Sequence, residues 1–151
     1  MYIEIKLLND KAKIPSKTYP TDFCFDCVAT SCEEVAPNVY KYGLGFALQT
    51  SASFAEYLKR AGVRFGFTLR ARSSVWKTGM VLSNGVGTID ELYRGEVSAV
   101  FYHVLPNMPK YEVGDRICQI CFDNTLDIRF EEVEDLNDTE RGSGGYGSTG
   151  K

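Results

Sequence analysis

Alternation of apolar and polar residues with a period of two constrains the fold of this chain more than any other feature. Apolar side chains occupy positions 3, 5 and 7 near the start, and the pattern returns over 63–70. Successive side chains of a β-strand point to opposite faces, so this period predicts strands with one buried face. Further runs of this kind cover 23–29, 43–48, 79–83, 95–104, 116–122 and 127–133. Many short strands separated by Gly, Pro, Asn and Asp clusters favour an all-β barrel or jelly roll.

One segment has helical rather than strand periodicity. Ser53 and Glu56 have the spacing of a capping box, and Phe54 and Leu58 fall on one helical face. Gly62 follows at a position suited to a helix C-terminus. The sequence therefore predicts one short helix of about two turns between two strands.

Length and composition predict one soluble domain with a tail. The chain has 151 residues, of which 44% are hydrophobic and 25% charged, and these values are ordinary for a globular protein. After about Glu134 the composition turns polar and rich in Gly and Ser. We expect a single β-barrel domain over 1–134 and a flexible C-terminal arm over 135–151.

Charge and hydropathy exclude two classes of partner. The net charge of −3 argues against binding nucleic acid, which usually requires a basic face. No apolar run is long enough to span a bilayer, and the first residues lack the basic start of a signal peptide. We therefore expect a cytoplasmic protein with no nucleic-acid or membrane partner.

Five cysteines include two CxxC pairs, Cys24/Cys27 and Cys118/Cys121. The second pair lies in a predicted strand, where residues three apart point to opposite faces and cannot easily bind one metal ion. An odd number of cysteines also argues against a framework of disulfides. We expect reduced, mostly buried thiols that bind no metal.

The stretch Arg141–Gly150 combines five glycines with groups that bind nucleotides. Arg141, Ser148 and Thr149 offer a cation and two hydroxyls for phosphates, and Tyr146 offers an aromatic face for a base. The Gly-Lys-Ser/Thr ending and the helix of a P-loop are missing. This pattern predicts a mobile arm that closes over a site built elsewhere in the chain.

A second candidate segment is Asn84–Val97. Its glycines permit a tight hairpin whose backbone could bind the edge of a base, and Asp90 stands where a carboxylate could orient a water molecule. Tyr93, three residues later, could pack against a sugar. Taken alone, a cluster of Asn, Gly and Asp is more typical of ordinary turns than of a site.

Together these segments resemble the trimeric dUTPase family in order along nearly the whole chain. Asn84–Glu96 resembles its third motif, and Arg141–Gly150 its fifth, with Tyr replacing the usual Phe. Arg72-Ser73-Ser74 resembles the second motif, Gly114–Gln119 resembles the fourth, and Phe23–Cys27 keeps only Asp26 of the first. The segment 50–62, which contains the predicted helix, looks like an insertion and a possible contact for another protein.

The resemblance implies an enzyme that hydrolyses dUTP to dUMP and pyrophosphate, with Mg²⁺ as cofactor on the triphosphate. Such an activity limits uracil incorporation into DNA and supplies dUMP. By the same resemblance, Asp90 would orient and help deprotonate the water that attacks the α-phosphorus. Asp26 would hold Mg²⁺ through the water ligands of the ion.

The resemblance also assigns the binding residues and the assembly. The uracil would pair with the hairpin, and Tyr93 would stack under the deoxyribose and exclude a 2′-hydroxyl. The active sites would be shared between the subunits of a homotrimer, and the arm would close over them. The implied substrate-binding residues are Arg72, Ser73, Ser74, Asn84, Gly87, Thr88, Ile89, Tyr93, Gln119, Arg141, Tyr146, Gly147, Ser148 and Thr149.

Two alternatives remain open from the sequence. A dCTP deaminase has the same fold and a similar second motif, but it needs a glutamate base where this chain has Val100, although Glu96 is nearby. A nucleotide-sensing regulatory protein of the dUTPase fold would use the 50–62 insertion to bind a partner. Identifying the products formed from dUTP and from dCTP distinguishes a dUTPase from a dCTP deaminase. A pull-down combined with turnover measurements, both after deletion of 51–61, tests the regulatory alternative.

Overall fold

The computed structural model describes residues 2–126 and 128–144, and the all-β prediction is confirmed. One α-helix and one 3₁₀ helix accompany the strands in the described ranges. In chain order the elements are β1 Ile3–Leu7, β2 Phe25–Val28, β3 Ser31–Ala36, β4 Val39–Gly43, β5 Phe46–Thr50, α1 Ala52–Ala61, β6 Val63–Ala71, the 3₁₀ helix Ser73–Lys77, β7 Met80–Leu82, β8 Val86–Ile89, β9 Ser98–His103 and β10 Arg116–Leu126.

The strands form three antiparallel sheets over the described residues. One pairs β1 with β5, the second has the order β2-β10-β6-β8, and the third has the order β3-β4-β9-β7. We call the second sheet the site sheet because the candidate site residues 26, 72 and 84–90 lie on it or beside it. Fully buried Tyr42 and Phe101 of the third sheet and Phe67 and Ile120 of the site sheet belong to one core between the two sheets. Closure of these sheets into a barrel stays a prediction.

Aromatic side chains fill one end of this core. The rings of Phe25, Phe65 and Phe67 each lie 5.3–6.0 Å from the ring of Phe122. These contacts fix β6 beside β10 because edge-to-face and stacked rings are specific in geometry. Phe54 of α1 packs on Phe65 with 5.0 Å between ring centroids, and so attaches the helix to the site sheet.

The helix exists where the sequence places it, but its predicted start is wrong. Ser51 is the N-cap and makes no side-chain cap bond, so Ser53 and Glu56 lie inside the helix. The Ser51 N–H donates to the carbonyl of Tyr2, which continues the β1–β5 pairing up to the first helical residue. Glu56 pairs with Arg60 at 3.0 Å instead of bonding back to a cap.

The predicted end of the helix is confirmed. Gly62 is the C-cap with a left-handed φ of 65°, and its N–H donates to the carbonyls of Leu58 and Lys59. Glycine adopts this backbone conformation without steric cost.

Sequence periodicity missed the hairpin of β3 and β4. Every side chain of β3 is exposed, so its sequence has no apolar alternation to detect. Asn38 makes the turn with a positive φ of 61°. The single strand predicted over 43–48 is divided at Gly45, whose φ is +73° and whose position is crowded by Asn9, Ala12 and Thr30.

The strand predicted over 127–133 is wrong for the residues that the structure describes. β10 ends at Leu126, residues 128–133 belong to no strand, and residue 127 lies outside the described ranges. Ile128 is 66% exposed and Phe130 is fully exposed. The alternating pattern is present, but no neighbouring strand of the described chain pairs with it. The predicted division into 1–134 and an arm over 135–151 stays a prediction; residues 135–143 are exposed throughout.

All five cysteines are free thiols, and three of them are buried. No group of three His, Cys, Asp or Glu side chains comes together in the described ranges. None of the described helices is long and apolar enough to span a bilayer.

Candidate functional site

A cluster of two cations around one carboxylate lies at one end of the site sheet. Asp26 on β2 accepts two hydrogen bonds from Arg72, Nε to Oδ1 at 2.8 Å and Nη2 to Oδ2 at 3.1 Å. Arg116 at the start of β10 donates from Nη1 to Oδ2 at 2.9 Å. We call these three residues the cationic cluster. A bidentate guanidinium–carboxylate pair has a fixed orientation, so Arg72 is held in place before any ligand arrives.

Strand register brings the other predicted phosphate-binding residues to this cluster. Gln119 lies opposite Asp26 in the β10–β2 ladder, and Ser73 and Ser74 begin the 3₁₀ helix directly after Arg72. Arg72 Nη1 also donates to Ser74 Oγ at 3.3 Å. The 3₁₀ turn therefore presents its hydroxyls beside the guanidinium.

A polar cavity of about 340 Å³ lies against the cationic cluster. Asp26, Arg72, Ser73 and Gln119 line it on the sheet side, and the loop 16–24 lines the rest. Its lining is mixed in charge, with Lys17 and Asp22 both contributing from the loop. A cavity with a guanidinium, a hydroxyl and an amide suits the oxygens of a phosphate chain.

Sequence reasoning missed Arg116 as a member of the site. Besides its bond to Asp26, Arg116 Nη1 lies 3.3 Å from Thr18 Oγ1 and so joins the loop 16–24 to β10. The signal was present in the fourth motif, where Arg116 stands three residues before Gln119. Only the strand pairing of β10 with β2 reveals its partner.

The second half of the candidate site begins at the tight turn between β7 and β8, two strands that lie in different sheets. Gly85 makes the turn with a φ of +65°, which favours glycine, and its N–H donates to the carbonyl of Leu82 at 3.1 Å. Asn84 is exposed at this turn and its side chain folds toward Gly87, where a Cβ would lie 3.1 Å from Asn84 Nδ2. Thr88 and Ile89 complete β8, which pairs with β6, whereas β7 pairs with β9. The tight turn is therefore present, but the predicted hairpin is wrong, because the two strands that the turn joins belong to different sheets.

Asp90 and Tyr93 lie on the loop that follows β8. The Tyr93 N–H donates to the Asp90 carbonyl at 3.0 Å, and the Tyr93 hydroxyl donates to the Glu96 carbonyl at 3.0 Å. Gly95 permits this fold, since a Cβ there would lie 2.4 Å from the Tyr93 hydroxyl oxygen. The Asp90 carboxylate is exposed and has no hydrogen bond or ion pair with any described residue.

Two cavities meet at Asp90. The smaller, about 180 Å³, is lined by Thr88, Ile89, Asp90, Tyr93 and Glu96 together with the start of β9. The larger, about 460 Å³, lies on the side of β6 and β10 and is mostly apolar. We call the segment from Asn84 to Tyr93 the hairpin half-site, after the hairpin predicted at its start, although only the turn is present.

Within one chain the turn at Asn84 and Gly85 lies near Arg72, because Val86 pairs with Arg70, but Asp90 lies far from the cationic cluster. Ile89 pairs with Phe67 in the β8–β6 ladder, so Asp90 lies beside Gly66, whereas Arg72 follows the other end of β6. Arg72 lies six positions after Gly66, which corresponds to about 20 Å at 3.3 Å per residue. A carboxylate at that distance cannot act on a phosphate bound at the cationic cluster of the same chain.

The arm is only partly described. Arg141 is exposed, and its Nε donates to the carbonyl of Gly144 at 2.9 Å. The predicted ligands Tyr146, Gly147, Ser148 and Thr149 lie outside the described residues.

Comparison with known proteins gives one consistent result. The sequence matches the dUTPase family profile over residues 10–150. It is 34% identical over 154 residues to the deoxyuridine 5'-triphosphate nucleotidohydrolase of Nautilia profundicola, covering all of both chains. The corresponding protein of Streptomyces griseus is 33% identical over 150 residues, with 97% of this chain and 78% of that protein covered.

Solved structures agree in fold. The dUTPase of Staphylococcus bacteriophage 80alpha with dUPNHPP superposes with a TM-score of 0.77 at 21% identity, covering 99% of each chain. The dUTPase of phage phi11 of S. aureus, described with a structural Mg(II) ion, gives a TM-score of 0.71 at 17% identity, covering 91% of this chain and all of the other. The profile match, the full-length relatives and the shared all-β fold show that the chain belongs to the dUTPase family.

Proposed function

We propose that this protein hydrolyses dUTP to dUMP and pyrophosphate in active sites shared between the subunits of a cytoplasmic homotrimer. The observation that carries the proposal is the separation of a free carboxylate, Asp90, from a preformed cationic cluster in a chain of the dUTPase family. A symmetric assembly in which one chain's hairpin faces a neighbour's cluster would complete each site. The activity would limit uracil incorporation into DNA and supply dUMP.

The hairpin half-site would bind the nucleoside. Asn84 and the backbone at Gly87, Thr88 and Ile89 offer donors and acceptors for the edge of uracil. The Tyr93 ring, held by its bond to the Glu96 carbonyl, would lie under the deoxyribose. A close fit at both places rejects a 5-methyl base and a 2′-hydroxyl by steric clash.

Asp90 would orient and deprotonate the attacking water. Its carboxylate is exposed and without a partner among the described residues, so it is available as a hydrogen-bond acceptor. The water would attack the α-phosphorus in line with the leaving pyrophosphate. Alignment and neutralisation of charge are the main contributions of a protein to phosphoryl transfer.

The neighbour's cationic cluster would bind the phosphates. Arg72 is already oriented by Asp26, so little side-chain entropy is lost when it binds an anion. Ser73, Ser74 and Gln119 would donate to the phosphate oxygens nearest the sugar. Arg141, Tyr146, Gly147, Ser148 and Thr149 of the arm would cover the uracil and the terminal phosphates, and closure would exclude other water.

Asp26 fits a water-mediated role toward Mg²⁺ better than direct coordination. Its Oδ2 accepts from both arginines and its Oδ1 from Arg72, so one lone pair of Oδ1 remains for a metal-bound water. Mg²⁺ keeps several waters and takes other ligands from substrate phosphates. When bound, the ion would neutralise charge on the phosphate chain.

Product analysis tests the reaction. We expect pyrophosphate and dUMP from dUTP, with a rate that depends on Mg²⁺, and no product from dCTP. Ion-exchange chromatography of both incubations measures this, and light scattering measures the oligomer. Deamination of dCTP would overturn the proposal in favour of the deaminase. Against that alternative, the Glu96 carboxylate accepts the Gly45 N–H at 2.8 Å, and the position of a deaminase base holds Val100.

Mixing two inactive variants tests whether the sites are shared. Asp90→Asn disables the hairpin half, and Ser73→Ala with Gln119→Ala disables the phosphate half. After unfolding and refolding together in equal amounts, about one quarter of the sites would combine two intact halves if each half comes from a different chain. Each variant refolded alone is the control. No recovery of turnover in properly assembled mixtures would mean that both halves act within one chain.

A further inference from the structure

The two CxxC motifs lie on neighbouring antiparallel strands and face each other. In the β10–β2 ladder Cys118 lies opposite Cys27, and Ile120 lies opposite Phe25. Cys24 directly precedes β2, and Cys121 follows Ile120. Because the spacing of the two motifs is equal, the next position of the ladder brings Cys24 beside Cys121.

The four thiols therefore form two pairs on opposite faces of the site sheet. Cys27 and Cys118 belong to the core and are 1% and 0% exposed. Cys24 and Cys121 lie on the face of Asp26, and Cys121 is buried while Cys24 is half-buried. Cys24 also lines the polar cavity at the cationic cluster. Burial, followed by a side-chain hydrogen bond with Cys24, raises the pKa of the Cys121 thiol.

We propose that Cys24 and Cys121 form an oxidisable dithiol at the phosphate cavity, which a low-molecular-weight disulfide converts into an intrachain disulfide. Facing residues of an antiparallel pair have Cα atoms about 4.5–5.5 Å apart. A disulfide spans Cα distances of about 4.4–6.8 Å, so the pairing of β2 with β10 can remain while Cys24 and the loop before it move. The modification site stands independently of the proposed function, whereas its effect on turnover rests on that function.

The reaction is a balanced thiol–disulfide exchange. The Cys24 thiolate, which solvent can reach, attacks one sulfur of the reagent disulfide and releases the first reagent thiol. The Cys121 thiolate then attacks the Cys24 sulfur and releases the second. Two protein thiols are oxidised, one reagent disulfide is reduced, and the two protons pass to the released thiols.

The bond changes the lining of the cavity. An S–S bond of about 2.05 Å is much shorter than a contact between two thiols, so Cys24 moves toward β10. Cys24 ends the loop 16–24, which lines the cavity opposite Arg72 and Ser73. We expect the KM for dUTP to rise several-fold in the oxidised protein and to return on reduction.

Oxidised glutathione and the folded full chain provide the test. A Cys32→Ser background removes the exposed cysteine that could link two molecules and leaves four thiols of the original five. We expect two of these four to be lost, peptide mapping to join Cys24 to Cys121, and dithiothreitol to restore all four. Adding Cys121→Ser should stop the reaction at a glutathione adduct on Cys24, whereas adding Cys27→Ser should leave the disulfide intact.

Other outcomes overturn the inference. A disulfide between Cys27 and Cys118, a stable glutathione adduct on Cys24 without Cys121→Ser, or four unreacted thiols would each contradict the site. Unchanged kinetics in fully crosslinked protein would contradict the effect on the cavity. Lack of dUTP turnover in the reduced protein would instead contradict the proposed function, and the mapped crosslink would still stand.

Discussion

The cationic cluster and the hairpin half-site are stabilised in different ways. In the cluster the functional side chains bond to one another, with Asp26 accepting from Arg72 and Arg116. In the hairpin half-site the backbone is fixed by Gly85 and the Tyr93 bonds, while the Asp90 carboxylate has no partner among the described residues. The cluster thus holds its charged groups in place, whereas the hairpin half-site leaves its carboxylate without a partner in the described chain.

The difference follows from the charges involved. Two guanidinium groups at one site repel each other, and Asp26 offsets one of them and leaves a net charge of +1 for an anionic ligand. A single exposed carboxylate needs no such support, because solvent stabilises it. The cationic cluster is thus organised within one chain, whereas under the proposed function Asp90 would act on a phosphate bound at a neighbour's cluster.

The largest expected effect is that of removing the free carboxylate. Asp90→Asn keeps the shape of the side chain but cannot deprotonate water, and turnover should fall by about 10²–10⁴. Binding of a non-hydrolysable dUTP analogue, measured by calorimetry, should remain largely intact. Glu33→Gln at an exposed carboxylate of β3 is the matched control and should leave kcat nearly unchanged. A near-normal kcat for Asp90→Asn would remove the assigned role.

The next effect tests the internal support of the cluster. Asp26→Asn leaves two guanidinium groups around a neutral amide, and we expect unfolding free energy to fall by about 1–3 kcal/mol. The loss of stability is limited because the Arg116 side chain is half-exposed and solvent screens its charge. Urea unfolding measures this, and the kcat/KM for dUTP should fall as well. Adding Arg116→Gln should restore part of the lost stability, since it removes the repulsion; no restoration would mean that the cluster is not coupled.

A smaller effect tests the close packing of the hairpin half-site. Gly95→Ala places a methyl group against the Tyr93 hydroxyl, so the ring must shift and the KM for dUTP should rise several-fold. Gly62→Ala is the control for a destabilising alanine far from Tyr93, because its backbone is left-handed while no atom lies within 4 Å of a Cβ there. Steady-state kinetics of both variants measure the difference. If Gly95→Ala and Gly62→Ala had the same KM for dUTP, the position of the Tyr93 ring would be unimportant for binding.

The smallest effect concerns the single hydrogen bond that holds the Tyr93 ring. Tyr93→Phe removes the hydroxyl that donates to the Glu96 carbonyl. Because Tyr93 is 47% exposed, a water molecule can donate to that carbonyl instead. We expect a loss of less than about 1 kcal/mol in unfolding free energy. Thermal unfolding of the variant beside the parent checks this, and a loss of several kcal/mol would mean that the loop depends on this bond.

Much of the candidate site could be predicted because its signals are local. The turn at Asn84-Gly85 and the helix end at Gly62 each depend on the backbone preferences of one glycine, and both are confirmed. The prediction of the helix start was wrong because the Ser51 N–H bonds to the carbonyl of Tyr2, a residue distant in sequence. The role of Arg116 was missed for the same reason, since its partner Asp26 lies on another strand.

Periodicity and turn residues were enough to predict the all-β class, the short helix and the tight turn at Gly85, since they act within a few positions of the chain. Which strands pair was settled by tertiary packing, and pairing set the distance between Asp90 and Arg72 along β6 and placed Cys27 opposite Cys118. Tertiary packing also decided that the alternating residues 128–133 form no strand in the described chain. The physical reason is that a strand is completed by the hydrogen bonds of a partner, and the partner is chosen by packing between distant segments.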